Sequence, residues 1–219
     1  MSFDKIICFN KPRGMSSAAT IARIKKSLNV KKIGYAGTLD PLASGVLLVG
    51  INKATKQLHQ LTSLDKIYQV NILFGIETNT HDITGEVVRL NYCFPNQINL
   101  LQTIDDFTKN PYWQQPPQFS ALKVNGVRAY KLARQNIPVN LSKRLVQVYW
   151  CRLLKFDLPN VSLEIKVSKG FYVRSFIIDL AKKLNTVATM QSLVRIACGD
   201  HNINQALSFK DFKTGNEYA

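Results

Sequence analysis

The segment Gly34-Tyr-Ala-Gly-Thr-Leu-Asp-Pro-Leu-Ala-Ser-Gly45 concentrates the chemical potential of this chain in one place. Its three glycines let the backbone bend sharply around a single carboxylate, Asp40, which is followed by the ring-locked Pro41. A carboxylate displayed in this way can serve as a nucleophile or a general base. The same dipeptide can also be a helix N-cap followed by the first helical residue, a pairing worth about 1 kcal/mol. No Gly-Lys-Ser/Thr closes the segment, so it is not a phosphate-binding P-loop.

A second polar segment, Ser168-Lys-Gly-Phe-Tyr-Val-Arg174, follows a strand pattern and opens a helical one. Gly170 makes the turn, and Arg174 falls in the first turns of the helix. From there it can reach inward and lock a carboxylate through a bidentate pair, or it can remain a solvated helix arginine. Tyr68 and Tyr172 fit either ordinary tyrosine positions or platforms on which a base stacks. His59, His81 and His201 are scattered, with no Ser or Cys nucleophile at a recognisable spacing, and receive no role. Cys8, Cys93, Cys151 and Cys198 stand far apart without a C-x-x-C pair, which suggests neither zinc nor a disulfide framework.

These segments need a scaffold, and the periodicities supply one. The opening apolar run, broken by Asn10 and Lys11, has the pattern of a buried strand rather than a signal peptide. Ser16 and Ser17 can cap a helix that carries Ile21, Ile24 and Leu28 and ends near Asn29. Val46–Val49 is a buried strand, and a second helix is predicted over Lys53–Leu64. Tyr68, Val70, Ile72 and Phe74 alternate as in a half-buried strand, with Glu86–Arg89 as its partner after a turn at Gly85. Gln97–Phe107 is helical, Pro116 and Pro117 force extended chain before Phe119–Lys123, and Asn125-Gly126 marks a turn. Leu145–Phe156 and Val161–Val167 are strands joined at Asp157–Asn160. A helix over Val173–Leu184 and a strand over Leu193–Ala197 complete a sheet with helices packed on it.

The 219 residues are 46% hydrophobic, enough for a substantial core. Lys and Arg number 29 against 14 Asp and Glu, and a formal charge of +15 favours a polyanionic partner. Nucleic acid ranks ahead of a membrane surface because no basic amphipathic helix concentrates the charge. No run approaches the roughly 20 apolar residues that span a bilayer, so a soluble cytoplasmic protein is expected.

Taken together, Lys11-Pro-Arg-Gly-Met-Ser-Ser17, Gly34–Gly45 and Lys53-Ala-Thr-Lys56 resemble the bacterial tRNA pseudouridine-55 synthase family, the TruB type. Further matches in the same order are Asp65–Tyr68, Phe74–Glu86, Gln115–Lys123, Arg128–Arg134 and Ser168–Arg174. The resemblance implies an α+β pseudouridine synthase fold, a mixed and largely antiparallel sheet with flanking helices and a central RNA-binding cleft. It implies isomerisation of uridine in the T arm of tRNA by base flipping, as a monomer, without cofactor, metal or obligatory protein partner. It also assigns roles: Asp40 as the catalytic aspartate, Tyr68 as the tyrosine that stacks on the base and takes part in proton removal, and Arg174 as the aspartate's partner. Tyr172 and Leu193 match residues lining the uridine pocket.

Two departures from the family pattern stand out. Tyr35 replaces the usual His of Gly-His-x-Gly-Thr-Leu-Asp; it can still stack on an extruded nucleotide but lacks imidazole proton chemistry. The chain stops at Ala219, so one catalytic domain over 1–219 is expected, with the C-terminal PUA-like domain absent or minimal. Competing expectations are a pseudouridine synthase for another RNA uridine, and a tRNA-folding factor that needs no chemistry. Dyskerin-type relatives of guide-RNA particles rank lower, because they depend on the PUA domain.

Overall fold

An uninterrupted apolar run such as Val46-Leu-Leu-Val49 has to be covered on both faces of its strand. The computed structural model, which describes residues 4–135 and 137–212, shows what covers it. In chain order the elements begin with β1 (Ile6–Lys11), α1 (Ser17–Leu28), β2 (Ile33–Ala36), β3 (Ser44–Ile51), a 3-10 segment at Asn52–Gln57, α2 (Leu58–Thr62) and β4 (Lys66–Phe74). They continue through β5 (Ile76–Thr78), β6 (Val87–Leu90), α3 (Gln97–Lys109), β7 (Tyr112–Gln114), β8 (Lys123–Val124), β9 (Val127–Arg128) and α4 (Ala129–Ala133). The last part holds β10 (Arg144–Val146), β11 (Val148–Asp157), β12 (Asn160–Val167), α5 (Val173–Lys183), β13 (Ala188–Cys198) and β14 (His201–Asn202). The described residues fall into two units, one from Met1–Tyr68 and Leu193–Ala219, the other from Gln69–Ser192.

In the first unit β3 is central. β1 runs antiparallel along one side, with Ile6 opposite Gly50 and Lys11 opposite Gly45. On the other side β2 is antiparallel, with Ile33 opposite Ile51, and the end of β13 is parallel, with Arg195 opposite Gly45. Leu47, Val49 and Ile51 join Ile7, Phe9 and Ile24 of α1 in one core; Val46 and Leu48 join Ala36 and Cys198 in another, against Leu58 and Leu61 of α2. The capping of α1 follows the sequence: the Ser16 hydroxyl accepts from the Ala19 N–H at 3.1 Å, and Asn29 ends the helix with φ 47°. The segment after β14 returns to β1, where Asn10 N–H donates to Leu207 O (2.8 Å) and Leu207 N–H to Cys8 O (2.9 Å).

In the second unit the strand order is β13-β4-β12-β11, through those residues of β13 and β4 that belong to it. Val161, Leu163, Ile165 and Val167 of β12 turn to the core, as period-two alternation requires. α5 meets α3 edge-to-face through Phe176 and Phe107, with ring centroids 5.2 Å apart. A satellite core of Ala129, Val139 and Leu141 forms under the β8–β9 hairpin, whose turn uses Asn125 (φ 49°) and Gly126 (φ 81°).

The α+β class and the mixed, mostly antiparallel sheet agree with expectation, while several elements differ. The helix expected over Lys53–Leu64 begins as a 3-10 segment, because the Thr55 hydroxyl donates to Asn52 O at 2.7 Å and tightens its first turn. β6 pairs with β5 instead of β4: Gly75, at φ 93°, turns the chain between β4 and β5 and donates its N–H to Val187 O. The strand expected over Leu145–Phe156 divides at Gln147, whose N–H leaves the ladder for the Ser168 hydroxyl. β10 then pairs with β7, and β11 with β12.

Candidate active site

The backbone on either side of Asp40 is tied down. Ser17, buried at the start of α1, donates its hydroxyl to Leu39 O (2.8 Å) and accepts from Leu39 N–H (2.9 Å). Two hydrogen bonds to one residue remove both its backbone polar groups from competition with water. After the aspartate, Ala43 N–H donates to Asp40 O (3.1 Å) and Gly14 N–H to Pro41 O (2.7 Å). Asp40 therefore opens a turn rather than a helix, and the N-cap alternative does not hold. Its side chain is half-buried.

Beneath this loop are two buried cations. Arg195, 1% exposed, donates from Nε to Val46 O (2.6 Å) and from Nη2 to Gly37 O (2.9 Å). A Cβ on Gly37, at φ 70°, would stand 3.3 Å from the guanidinium, so the missing side chain makes room for it. Lys11, fully buried, donates from Nζ to Pro12 O (2.9 Å) and Met15 O (2.6 Å). Burial pushes its ammonium down to about 8, Asp40 acts in the opposite direction, and Arg195 lowers it further. A protonated lysine at neutral pH thus interacts with both the carboxylate and the guanidinium. Leu193 and Arg195 share the buried face of β13, Tyr35 is half-buried on β2, and Tyr68 is buried.

In the second unit Arg174 is 5% exposed, so it is not a solvated helix residue. It donates from Nη1 to Thr80 O (2.9 Å) and from Nη2 to Phe119 O (2.8 Å). The same helix start is fastened through Gln114, whose Oε1 accepts from Tyr172 N–H (2.8 Å) and whose Nε2 donates to Tyr172 O (3.1 Å). The Ser175 hydroxyl adds a bond to Gln115 O at 2.7 Å. His81 lies close enough to Arg174 to feel its charge; burial first, and that charge second, lower its imidazole to about 4. It is neutral at physiological pH. Among the described residues no group of three or more His, Cys, Asp or Glu is placed to hold a metal ion.

A family model described as TruB family pseudouridylate synthase (N terminal domain) matches residues 25–173. The chain belongs to the TruB family. It is 46% identical over 207 residues to the tRNA pseudouridine synthase B of Ureaplasma urealyticum, covering 94% of this chain and 90% of that protein. The enzyme of the same name from Mycoplasmoides gallisepticum is 42% identical, covering 94% of this chain and 97% of that one. Among solved structures, Cbf5 from a Cbf5-Nop10-Gar1 complex superposes with a TM-score of 0.73 at 28% identity, over 96% of this chain. The chain spans only about half of Cbf5, 53%.

Within this TruB chain the expected site residues divide between the units. Asp40, Tyr35, Tyr68 and Leu193 belong to the first; Tyr172 and Arg174 belong to the second, adjacent at the start of α5. The structure adds Ser17, Lys11, Arg195 and Gln114 as positioning residues. Lys11 and Ser17 sit in a motif that the sequence already marks, with no role for Lys11 and only a helix-capping one for Ser17. Arg195 had a visible signal, since a charged residue at an inward register between Leu193 and Ala197 must find buried partners.

Proposed function

We propose that this chain isomerises uridine to pseudouridine in transfer RNA, at position 55 of the T loop, with Asp40 as the catalytic carboxylate. The observation that carries the reading is the Asp40 turn: a half-buried carboxylate on a backbone tied by Ser17, Gly14 and Ala43, over buried Lys11 and Arg195. TruB membership gives that geometry its reaction.

The isomerisation breaks the N1–C1′ bond, turns the uracil, forms a C5–C1′ bond and removes the C5 proton, while the freed N1 takes up a proton. Nothing is oxidised or reduced. Three routes are open to the carboxylate: attack at C1′, addition to the base, or abstraction of the ribose 2′ proton. Each uses the Asp40 carboxylate, which lies on the loop above buried Lys11 and Arg195. The uridine must first leave the RNA stack. Tyr68 is assigned to meet it, with stacking worth about 1–3 kcal/mol, and to take part in removing the proton. Arg174 is assigned as the cation facing the aspartate, and Tyr172, Leu193 and Tyr35 as contacts of the flipped nucleotide. The surplus of Lys and Arg holds the T-arm phosphates. The chain acts as a cytoplasmic monomer without a protein partner.

The test is pseudouridine formation in unmodified tRNA transcripts, mapped by carbodiimide treatment and reverse transcription. Wild type is expected to give one product, at the T-loop uridine, and Asp40→Asn none. Bound tRNA without product in the wild type would replace catalysis with a folding role, and a product elsewhere would move the target.

A further inference from the structure

We infer that a pocket between the β1–α1 loop and the segment after β14 binds a phosphodiester of the RNA backbone. The cavity, of about 550 Å³, is lined by Pro12, Arg13, Gly14, Met15, Arg23, Phe209 and Lys210. Three of the seven are cations and none is an acid. None of the three cations forms an ion pair among the described residues. The acid of the adjoining chain, Asp211, accepts from the N–H and the hydroxyl of Ser208 at 2.5 and 2.7 Å and feels the charge of Lys210 only as a minor influence, without forming an ion pair with it. Three like charges gathered around one space repel each other, and a bound anion relieves that cost.

The pocket is also organised. The Arg23 guanidinium carbon sits 4.1 Å from the centroid of the Phe209 ring, and that ring packs edge-on against Phe9 at 4.8 Å. A guanidinium held over a ring face still has N–H groups to offer to an acceptor, and phosphate oxygens suit them. At Gly14, φ is 87° and a Cβ would meet nothing within 4 Å, so the rim stays open beside its backbone. Gly14 N–H is bonded to Pro41 O at 2.7 Å, which couples this rim to the turn that Asp40 opens. A phosphate held here would anchor the RNA next to the loop that carries the reacting carboxylate. An acidic protein partner is a poorer fit, because the space is a single pocket and the Asp40 turn adjoins it.

The inference rests on the proposed action on transfer RNA, and filter binding of unmodified tRNA against KCl concentration tests it separately from chemistry. The triple variant Arg13→Gln, Arg23→Gln, Lys210→Gln is compared with Lys25→Gln, Lys26→Gln, which removes exposed charge from α1 outside the pocket. Loss of the site lowers affinity about tenfold or more at moderate salt and flattens the slope of log affinity against log salt by about 1. Arg23→Lys keeps the slope near wild type while losing part of the affinity. Affinity and slope equal to wild type in the triple variant, or an equal loss in the control variant, overturn the inference. Stabilisation of the wild type by inorganic phosphate with tRNA affinity unmoved by the triple variant overturns it too, by making this a free-phosphate site. A wild type that binds tRNA with the expected slopes yet forms no pseudouridine removes the proposed function and leaves the pocket standing.

Discussion

Gly45 and Arg195 are parallel-paired neighbours on β3 and β13, so close that a Cβ on Gly45 would stand 2.2 Å from the Arg195 carbonyl oxygen. This contact holds the strand that carries the buried guanidinium against the end of the Asp40 loop. Gly45 also has φ 102°, where any side chain is strained. Gly45→Ala is expected to cost about 3 kcal/mol or more, lowering the melting temperature by roughly 6–12 °C for a chain of this size. Gly126→Ala is the contrast: at φ 81° with nothing within 4 Å, it bears only the backbone penalty of about 1–2 kcal/mol. Thermal melts of the two variants check the difference.

Ser17 is the second prediction. Its hydroxyl serves both the N–H and the carbonyl of Leu39, so Ser17→Ala leaves two buried backbone groups unpaired. The expected loss is about 2–4 kcal/mol, and kcat should fall more than KM rises, because the aspartate is misplaced rather than the RNA site removed. Steady-state kinetics with tRNA transcripts at a temperature where the variant stays folded would show this. A KM effect alone would count against a positioning role.

Lys11 makes a pH-dependent prediction. Its ordinary value of 10.5 is lowered to about 8 on folding, chiefly by burial. Between those two values the unfolded chain binds the proton and the folded one does not, so the destabilisation due to the buried ammonium fades as pH rises through that window. The same deprotonation removes a cation beside Asp40. kcat/KM is expected to decline on an alkaline limb near pH 8, and Lys11→Arg should carry that limb upward.

Asp179 on α5 is pushed up from 3.8 to about 6 by burial, which outweighs the nearby Lys182, Lys143 and Lys183. Here the folded state holds the proton more tightly, so the group's destabilising effect is absent below pH 4, grows as pH climbs to 6 and is complete above it. Asp179→Asn should therefore raise the melting temperature at pH 8 by a few degrees and leave it unchanged at pH 3.5. Melts across that range decide the matter.

Much of this was legible in the chain because the signals are local. Ser16 before Ile21, Ile24 and Leu28 announces α1, and the alternation of Val161, Leu163, Ile165 and Val167 announces β12. The glycines around Asp40 likewise announce a tight turn, and Gly170 announces the junction between β12 and α5 that precedes Arg174. What escaped depends on partners distant in sequence. β2 is short and contains Gly34, and becomes a strand because β3 offers it a ladder from Ile51 to Leu48. β7 carries little periodicity in Tyr112-Trp-Gln114, but it pairs with β10 and supplies Gln114 to Tyr172. Lys11 looks like a surface charge until the topology encloses it.

The segment from Leu207 to Phe212 lies along β1, exchanging hydrogen bonds with Cys8 and Asn10 and setting Phe209 and Phe212 against Phe9. An edge strand as apolar as Ile6-Ile-Cys-Phe9 would otherwise present a template for strands of other molecules. This short return therefore acts as a guard against aggregation. Shortening the chain to end before Leu207 would bare both the edge and the phenylalanine, and the consequence would appear in solubility before it appeared in catalysis.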